Sequence, residues 1–271
     1  MTGAVHHLNC GTMSLAVTFG ERLAPRRIVA HCLLVERDGG LLLVDTGFGM
    51  GDVENPRRLT ASSRMLLRPR LAAEETAIAQ VRALGHDPAD VTDIVLTHMD
   101  FDHVGGLGDF PRAAVHVYAA ELDAATHPHL RERARYVEAM WAHGPLWNPV
   151  AEAGDQWLGL RSVTVLGDDV VLVPLHGHTR GHCGVAIRRP ADEGGSGGWL
   201  LHAGDAFFDA RESHDPPACA PGLALFQRLM ATNHHDRLHN LERVRELRSA
   251  HASDLDVFCA HAAADLDRFV S

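Results

Sequence analysis

With 271 residues, 46% of them hydrophobic, the chain can bury a large core, and one domain spanning 1–271 is the simplest arrangement. The formal net charge is −10 and no lysine occurs, so the fixed positive charge is all arginine; this disfavours nucleic acid as a partner and removes Schiff-base chemistry. The five cysteines, Cys10, Cys32, Cys183, Cys219 and Cys259, are scattered without a CxxC pair, no apolar run nears the roughly 20 residues of a membrane span, and the N-terminus lacks a basic segment followed by an apolar one, so a cytoplasmic protein with reduced thiols is expected.

In chain order, the N-terminal third predicts strands and tight turns: an aliphatic run from Ile28 to Val35, a turn at Asp38-Gly39-Gly40, and a second run from Leu41 to Val44 ending in Asp45-Thr46-Gly47. The arginine-rich stretch Arg57 to Arg70 has no clear signature. Ala77, Ile78, Val81 and Leu84 have helical spacing within Glu74 to Leu84, with Gly85 as the stop, and Val91 to Leu96 is a strand. Ala114 to Tyr118 is another strand. The region 119–160 predicts a helical insert able to cover a cleft, with Arg131 to Trp141 as its best helix and Trp141, Trp147 and Trp157 as a local concentration of aromatics. Strands follow at Val170 to Pro174, Gly184 to Ile187 and Trp199 to His202, with a flexible loop at 192–198. Leu238, Leu241, Val244 and Leu247 mark one face of a helix before the strand Val257 to Cys259. Alternating strands and helices predict an α/β layered fold with helices outside the sheets.

The chemistry concentrates where strands end. His98, Asp100, Asp102 and His103 follow the Val91 to Leu96 run and precede Gly105-Gly106, so four possible metal donors leave one strand-to-loop corner. His178 (in Pro174-Leu175-His176-Gly177-His178-Thr179-Arg180-Gly181-His182), Asp205 (in Gly204-Asp205) and His261 (in Cys259-Ala260-His261) stand at comparable corners. Taken singly, each could be a capping aspartate or a hydrogen-bonded histidine; together they point to a metal centre.

These residues resemble the metallo-β-lactamase fold superfamily of hydrolases over nearly the whole chain, with His98-x-Asp100-x-Asp102-His103 in place of its His-x-His-x-Asp-His motif. The resemblance implies a four-layer αββα sandwich and two divalent ions, zinc in the first instance. His98 and His178 would belong to the first ion, Asp102, His103 and His261 to the second, and Asp205 would bridge them. Asp45 would orient the metal loop from behind. His182 and His202 are expected as supporting or core histidines, and Cys183 and Cys259 as core thiols. His6, His7 and the Asn9 to Thr12 turn either approach the cleft or serve the surface.

Asp100 departs from the pattern, which has histidine there. Either it contacts the first ion, directly or through water, or it holds a neighbouring imidazole. Two divalent cations, two aspartates and a hydroxide leave one positive charge, whereas a third aspartate leaves none; a weaker Lewis acid, or manganese or iron at the first position, is then expected. The resemblance implies hydrolysis by a metal-bound hydroxide, with Asp102 and Asp100 as catalytic candidates and a small ester or lactone as substrate. Phe208 stands where the lactonase-like branch has a tyrosine, and Tyr118 or Tyr136 are the candidates to replace it. Phe208, Trp141, His143 and Trp147 are candidate substrate contacts. The alternatives are thioester or phosphodiester hydrolysis, or a mononuclear iron site without hydrolase activity. Oligomeric state is left open.

Overall fold

The computed structural model describes residues 2–16, 23–151, 154–190 and 197–270. The first sheet begins with three antiparallel strands, β1 (Thr2–Met13), β2 (Ile28–Arg37) and β3 (Gly40–Val44); Gly39, at φ +95°, makes the turn between the last two. Helices α1 (Met50–Glu54), α2 (Ala61–Leu67) and α3 (Ala77–Ala83) then carry the chain back to β4 (Val91–Val95), which runs parallel to β3. The short α4 (Phe101–Val104) leads to the parallel β5 (Ala114–Tyr118), and α5 (Ala119–Thr126) to the parallel edge strand β6 (Leu146–Val150).

The second sheet opens with five antiparallel strands: β7 (Asp155–Trp157), β8 (Leu160–Leu166), β9 (Val170–Pro174), β10 (Cys183–Arg188) and β11 (Trp199–His202). Helices α6 (Pro221–Met230) and α7 (His234–Ala250) precede β12 (Leu255–Phe258), which pairs parallel with β11, and α8 (Ala263–Val270) follows. The order is thus β1-β2-β3-β4-β5-β6 in one sheet and β12-β11-β10-β9-β8-β7 in the other.

Alternation along these strands builds the layers. Leu33, Val35, Leu42, Val44 and Val95 of the first sheet pack against Leu172, Val185, Ile187, Leu200 and Phe258 of the second. Their neighbours Leu34, Leu43 and Ile94 point the other way, to Ala77 and Val81 of α3. Val173, Leu201 and Val257 likewise meet Leu241, Val244 and Leu247 of α7. Apolar residues buried on both sheet faces therefore give an αββα sandwich. Leu238 departs from the expected α7 stripe: it is exposed, and the buried position is Arg237, whose Nη1 donates to Ala206 O and Gln227 Oε1, both at 2.9 Å.

The region 119–160 is not a helical insert. After α5 its described residues have turns, a single 3-10 turn at Glu138–Met140, and then β6, β7 and the start of β8. Arg131 to Trp141 fails to form a helix because its polar groups are taken by tertiary partners: Glu132 pairs with Arg180 (3.1 Å), Tyr136 with Glu121 (3.1 Å) and Arg135 with Asp100 (3.3 Å). Of the loop expected at 192–198, residues 192–196 lie outside the described residues.

Candidate metal centre

The loops after β3, β4, β9, β11 and β12 leave the same end of the sandwich, which gathers His98, Asp100, Asp102, His103, His178, Asp205 and His261. In one group the donor atoms of His98, Asp100, His178 and Asp205 lie within 4.8 Å of one another; in the next, those of Asp102, His103 and His261 do. All seven are buried. Asp205 stands between the groups: its Oδ2 is 3.1 Å from His261 Nε2, 3.3 Å from His178 Nε2 and 3.7 Å from His98 Nε2, and its Oδ1 is 3.4 Å from His103 Nε2.

The surrounding hydrogen bonds fix which nitrogen each imidazole turns inward. His261 Nδ1 donates to Val29 O (2.7 Å), and His103 Nδ1 to Asp45 Oδ2 (2.8 Å). Thr97 Oγ1 donates to Asp45 Oδ2 (2.7 Å) and so accepts from His98 Nδ1 (3.0 Å). In all three rings the Nε2 lone pair is left facing the cluster. Asp45 does this from a left-handed backbone conformation, φ +56°, a strained state for a non-glycine residue that its bonds to Thr97 and His103 hold in place. His182 Nδ1 donates to Leu175 O (2.9 Å), so its Nε2 accepts from the Asp205 backbone N–H (2.8 Å). Gly204, at φ +54°, is required beside it, since a Cβ would come within 2.6 Å of His182 Nε2. His202 is a satisfied core histidine, bonded to His31 O (2.6 Å) and Gly204 N (3.1 Å).

The atoms left over test whether a cation fits. His98 Nε2, His103 Nε2 and Asp205 Oδ1 are buried without a hydrogen-bond partner, an expensive arrangement for polar atoms unless an ion completes it. Electrostatics agree. Burial pushes the His103 imidazole down, but Asp205 and Asp45 outweigh it and hold the ring well above the ordinary histidine value; Asp205 likewise raises His261. Burial would raise the Asp205 carboxyl, yet His261, His103 and His178 hold it well below the usual range. The donor set, imidazole nitrogens and carboxylate oxygens, suits a divalent ion such as zinc.

Two buried residues essential to this arrangement carry no local sequence signal. Glu121, on α5, accepts from Met99 N (2.9 Å), Tyr136 Oη (3.1 Å), Thr179 Oγ1 (2.7 Å) and Gly181 N (3.0 Å), tying the loop of His98 and Asp100 to the loop of His178. Arg135, in the segment read as helix, reaches Asp100 from behind, Nε to Oδ1 at 3.3 Å.

Above the cluster lies a pocket lined by Ile28, Leu67, Phe101, Phe208, Phe226 and Met230 beside the candidate ligands. Phe208 belongs to it, its ring 4.5 Å from that of His261 and 5.9 Å from that of His178. The structure does not bring Trp141, His143 or Trp147 there: the two tryptophans pack on the helix-side core, and His143 is exposed. The pocket walls come from α2 and α6 instead. Neither tyrosine substitutes for the one replaced by Phe208, since neither lines the pocket and Tyr136 is spent on Glu121. His6 faces away from the cleft, bonded to Glu36 (2.9 Å) near the far end of β2, and Thr12 is bonded to Glu75 (2.9 Å). No described helix is long and apolar enough to cross a membrane.

The profile described as Metallo-beta-lactamase superfamily matches residues 26–261, which is most of the chain. The chain belongs to the metallo-beta-lactamase superfamily. Among curated relatives, the probable metallo-hydrolase Rv2300c of Mycobacterium tuberculosis is 45% identical over 262 residues, covering 95% of this chain and 79% of the relative. An N-acyl homoserine lactonase of Bacillus thuringiensis is 29% identical over 121 residues, 44% of this chain and 47% of its own. Among solved structures, an N-acyl homoserine lactone hydrolase with N-hexanoyl-L-homoserine at its catalytic metal center has a TM-score of 0.74 at 21% identity, covering 99% of this chain and 96% of that one, a likeness of fold. A metallo-hydrolase of this superfamily is the coarse function these matches support, and the two His/Asp groups could hold its divalent ions.

Proposed function

We propose that the protein is a divalent-metal-dependent hydrolase, binuclear and loaded with zinc, acting on a small ester or lactone. The supporting observation is that two His/Asp groups share Asp205 directly beneath a pocket whose other walls are aliphatic and aromatic. Ions held there would supply an activated water and polarise the oxygen that becomes negative. The chain's own residues do the rest. Asp102 lines the pocket beside His261, with its Oδ2 3.7 Å from Nε2, and is placed to take a proton from the attacking water and return it to the leaving oxygen. Asp100, fixed between His178 and Arg135, holds its position rather than moving protons. Phe101, Phe208, Phe226 and Met230 exclude water and offer an apolar surface to the substrate. Among the described residues no arginine lines the pocket, so beyond the ions themselves an anionic substrate would find no countercharge there, which favours a neutral one.

Metal quantification followed by a screen of lactones, aryl esters, thioesters and phosphodiesters tests this. Two equivalents of zinc and fastest turnover of lactones or esters are expected, and His103→Ala should abolish both the second equivalent and turnover. Retained hydrolysis in His103→Ala, or a metal-free active protein, would overturn the proposal. Phe208→Tyr is expected to raise kcat on lactones by roughly tenfold with little change in KM, since one added oxyanion donor contributes at least that much in a dry site. An unchanged kcat would show that the ring's para position does not face the reacting oxygen.

A further inference from the structure

The geometry points to Asp100 and Arg135 acting together as a charge-matched replacement for a neutral histidine ligand, with Arg135 as a positioning residue. This rests on the reading that the cluster binds ions. The two oxygens of Asp100 have different surroundings. Oδ2 faces the first group, 3.0 Å from His178 Nε2 and 3.5 Å from His98 Nε2, where a third donor of the first ion belongs. Oδ1 faces away, 3.3 Å from Arg135 Nε, close enough for an ion pair although not aligned as a hydrogen bond. Arg135 is only 5% exposed, and its position does not depend on Asp100: Nη1 donates to His178 O (2.8 Å) and Nη2 to Met230 O (2.7 Å). The guanidinium therefore bridges the His178 loop and the end of α6 and presents its remaining edge to the aspartate.

An aspartate in place of histidine adds one negative charge to the first group, and a guanidinium 3.3 Å away cancels it at a depth where solvent screens little. The loss of Lewis acidity expected from Asp100 alone then does not follow. The converse also holds. With a neutral ligand at position 100, no negative charge would stand between buried Arg135 and a divalent ion, an unfavourable arrangement. Each residue offsets the charge of the other, so the two should couple in a double-mutant cycle.

The test uses zinc stoichiometry and competition against a chromophoric chelator on the full-length parent, Asp100→His, Arg135→Gln, Asp100→His/Arg135→Gln and Asp100→His/Arg135→Lys. The parent should bind two equivalents. Asp100→His should lose at least tenfold in affinity for one of them, and adding Arg135→Gln should restore it to within about threefold of the parent. Adding Arg135→Lys, which keeps the charge without the planar fork, should leave the defect in place. Arg135→Gln alone should keep both ions but shift the acid limb of the kcat profile to higher pH, because the uncancelled carboxylate weakens the Lewis acid. Equal zinc affinity of Asp100→His with and without Arg135→Gln would overturn the inference and leave Arg135 as a tie between two carbonyls. Absence of zinc from the parent would instead overturn the metal reading itself, and the inference with it.

Discussion

Asp205→Asn is expected to cost this protein more activity than any other single substitution of similar shape. The amide keeps the volume of the carboxylate but not its charge, and among the described residues Asp205 is the one whose two oxygens serve both groups, facing His261, His178 and His98 through Oδ2 and His103 through Oδ1. Removing that charge leaves four buried imidazoles that must share a smaller negative potential, so both ions should be held more weakly. We expect bound zinc to fall from two equivalents to one or fewer, and kcat/KM to fall on the order of a thousandfold or more, about 4 kcal/mol of transition-state stabilisation. The fold should survive, because the backbone N–H of residue 205 still donates to His182 and the loop remains tied between β11 and the Gly204 turn. A variant that keeps both ions and loses less than tenfold in kcat/KM would show that Asp205 does not serve both ions.

What could be read in the sequence and what could not follows from distance along the chain. The elements that carry the seven clustered residues are local signals: aliphatic runs that end in a small residue and a donor, as at Val91 to His98, Trp199 to Asp205 and Leu255 to His261. β5, β9 and β11 have the predicted limits, and β2, β3, β4, β10 and β12 fall within a few residues of theirs. The segment 131–141 is not the expected helix because the helix propensity of residues such as Glu132 and Arg135 carries no information about Arg180 or Asp100 elsewhere in the fold, nor that of Tyr136 about Glu121. That misreading also misplaced the cover of the pocket, since Trp141 and Trp147 pack onto the core while α6, unassigned in the sequence, supplies Phe226 and Met230. Asp100 shows the same limit: its departure from the motif is plain in the sequence, but its countercharge lies 35 positions away, in a segment with no motif at all.

Glu121→Gln makes the point quantitatively. In the sequence Glu121 is an ordinary acidic residue in the first turn of a helix; in the fold it is fully buried and accepts four hydrogen bonds, two on each oxygen. An amide can keep at most the two bonds on its oxygen; at its NH2 group the hydroxyl of Thr179 or Tyr136 can turn to accept, but the backbone N–H beside it, of Gly181 or Met99, loses its acceptor. A stranded buried donor costs about 1–3 kcal/mol, and a loss of that order is expected. For a chain of this size that is a fall of roughly 2–12 °C in Tm. The damage should also be selective. The four donors belong to Met99, Thr179, Gly181 and Tyr136, and the first three flank His98, Asp100 and His178, all of the first group. The second group is held instead by Asp45, which bonds His103, and by Val29 O, which bonds His261. Chelator titration of folded Glu121→Gln should therefore weaken one zinc equivalent by tenfold or more while sparing the other. Equal weakening of both, or an unchanged Tm, would mean that the two loops are aligned by the sheets beneath them and that Glu121 only fills the space between.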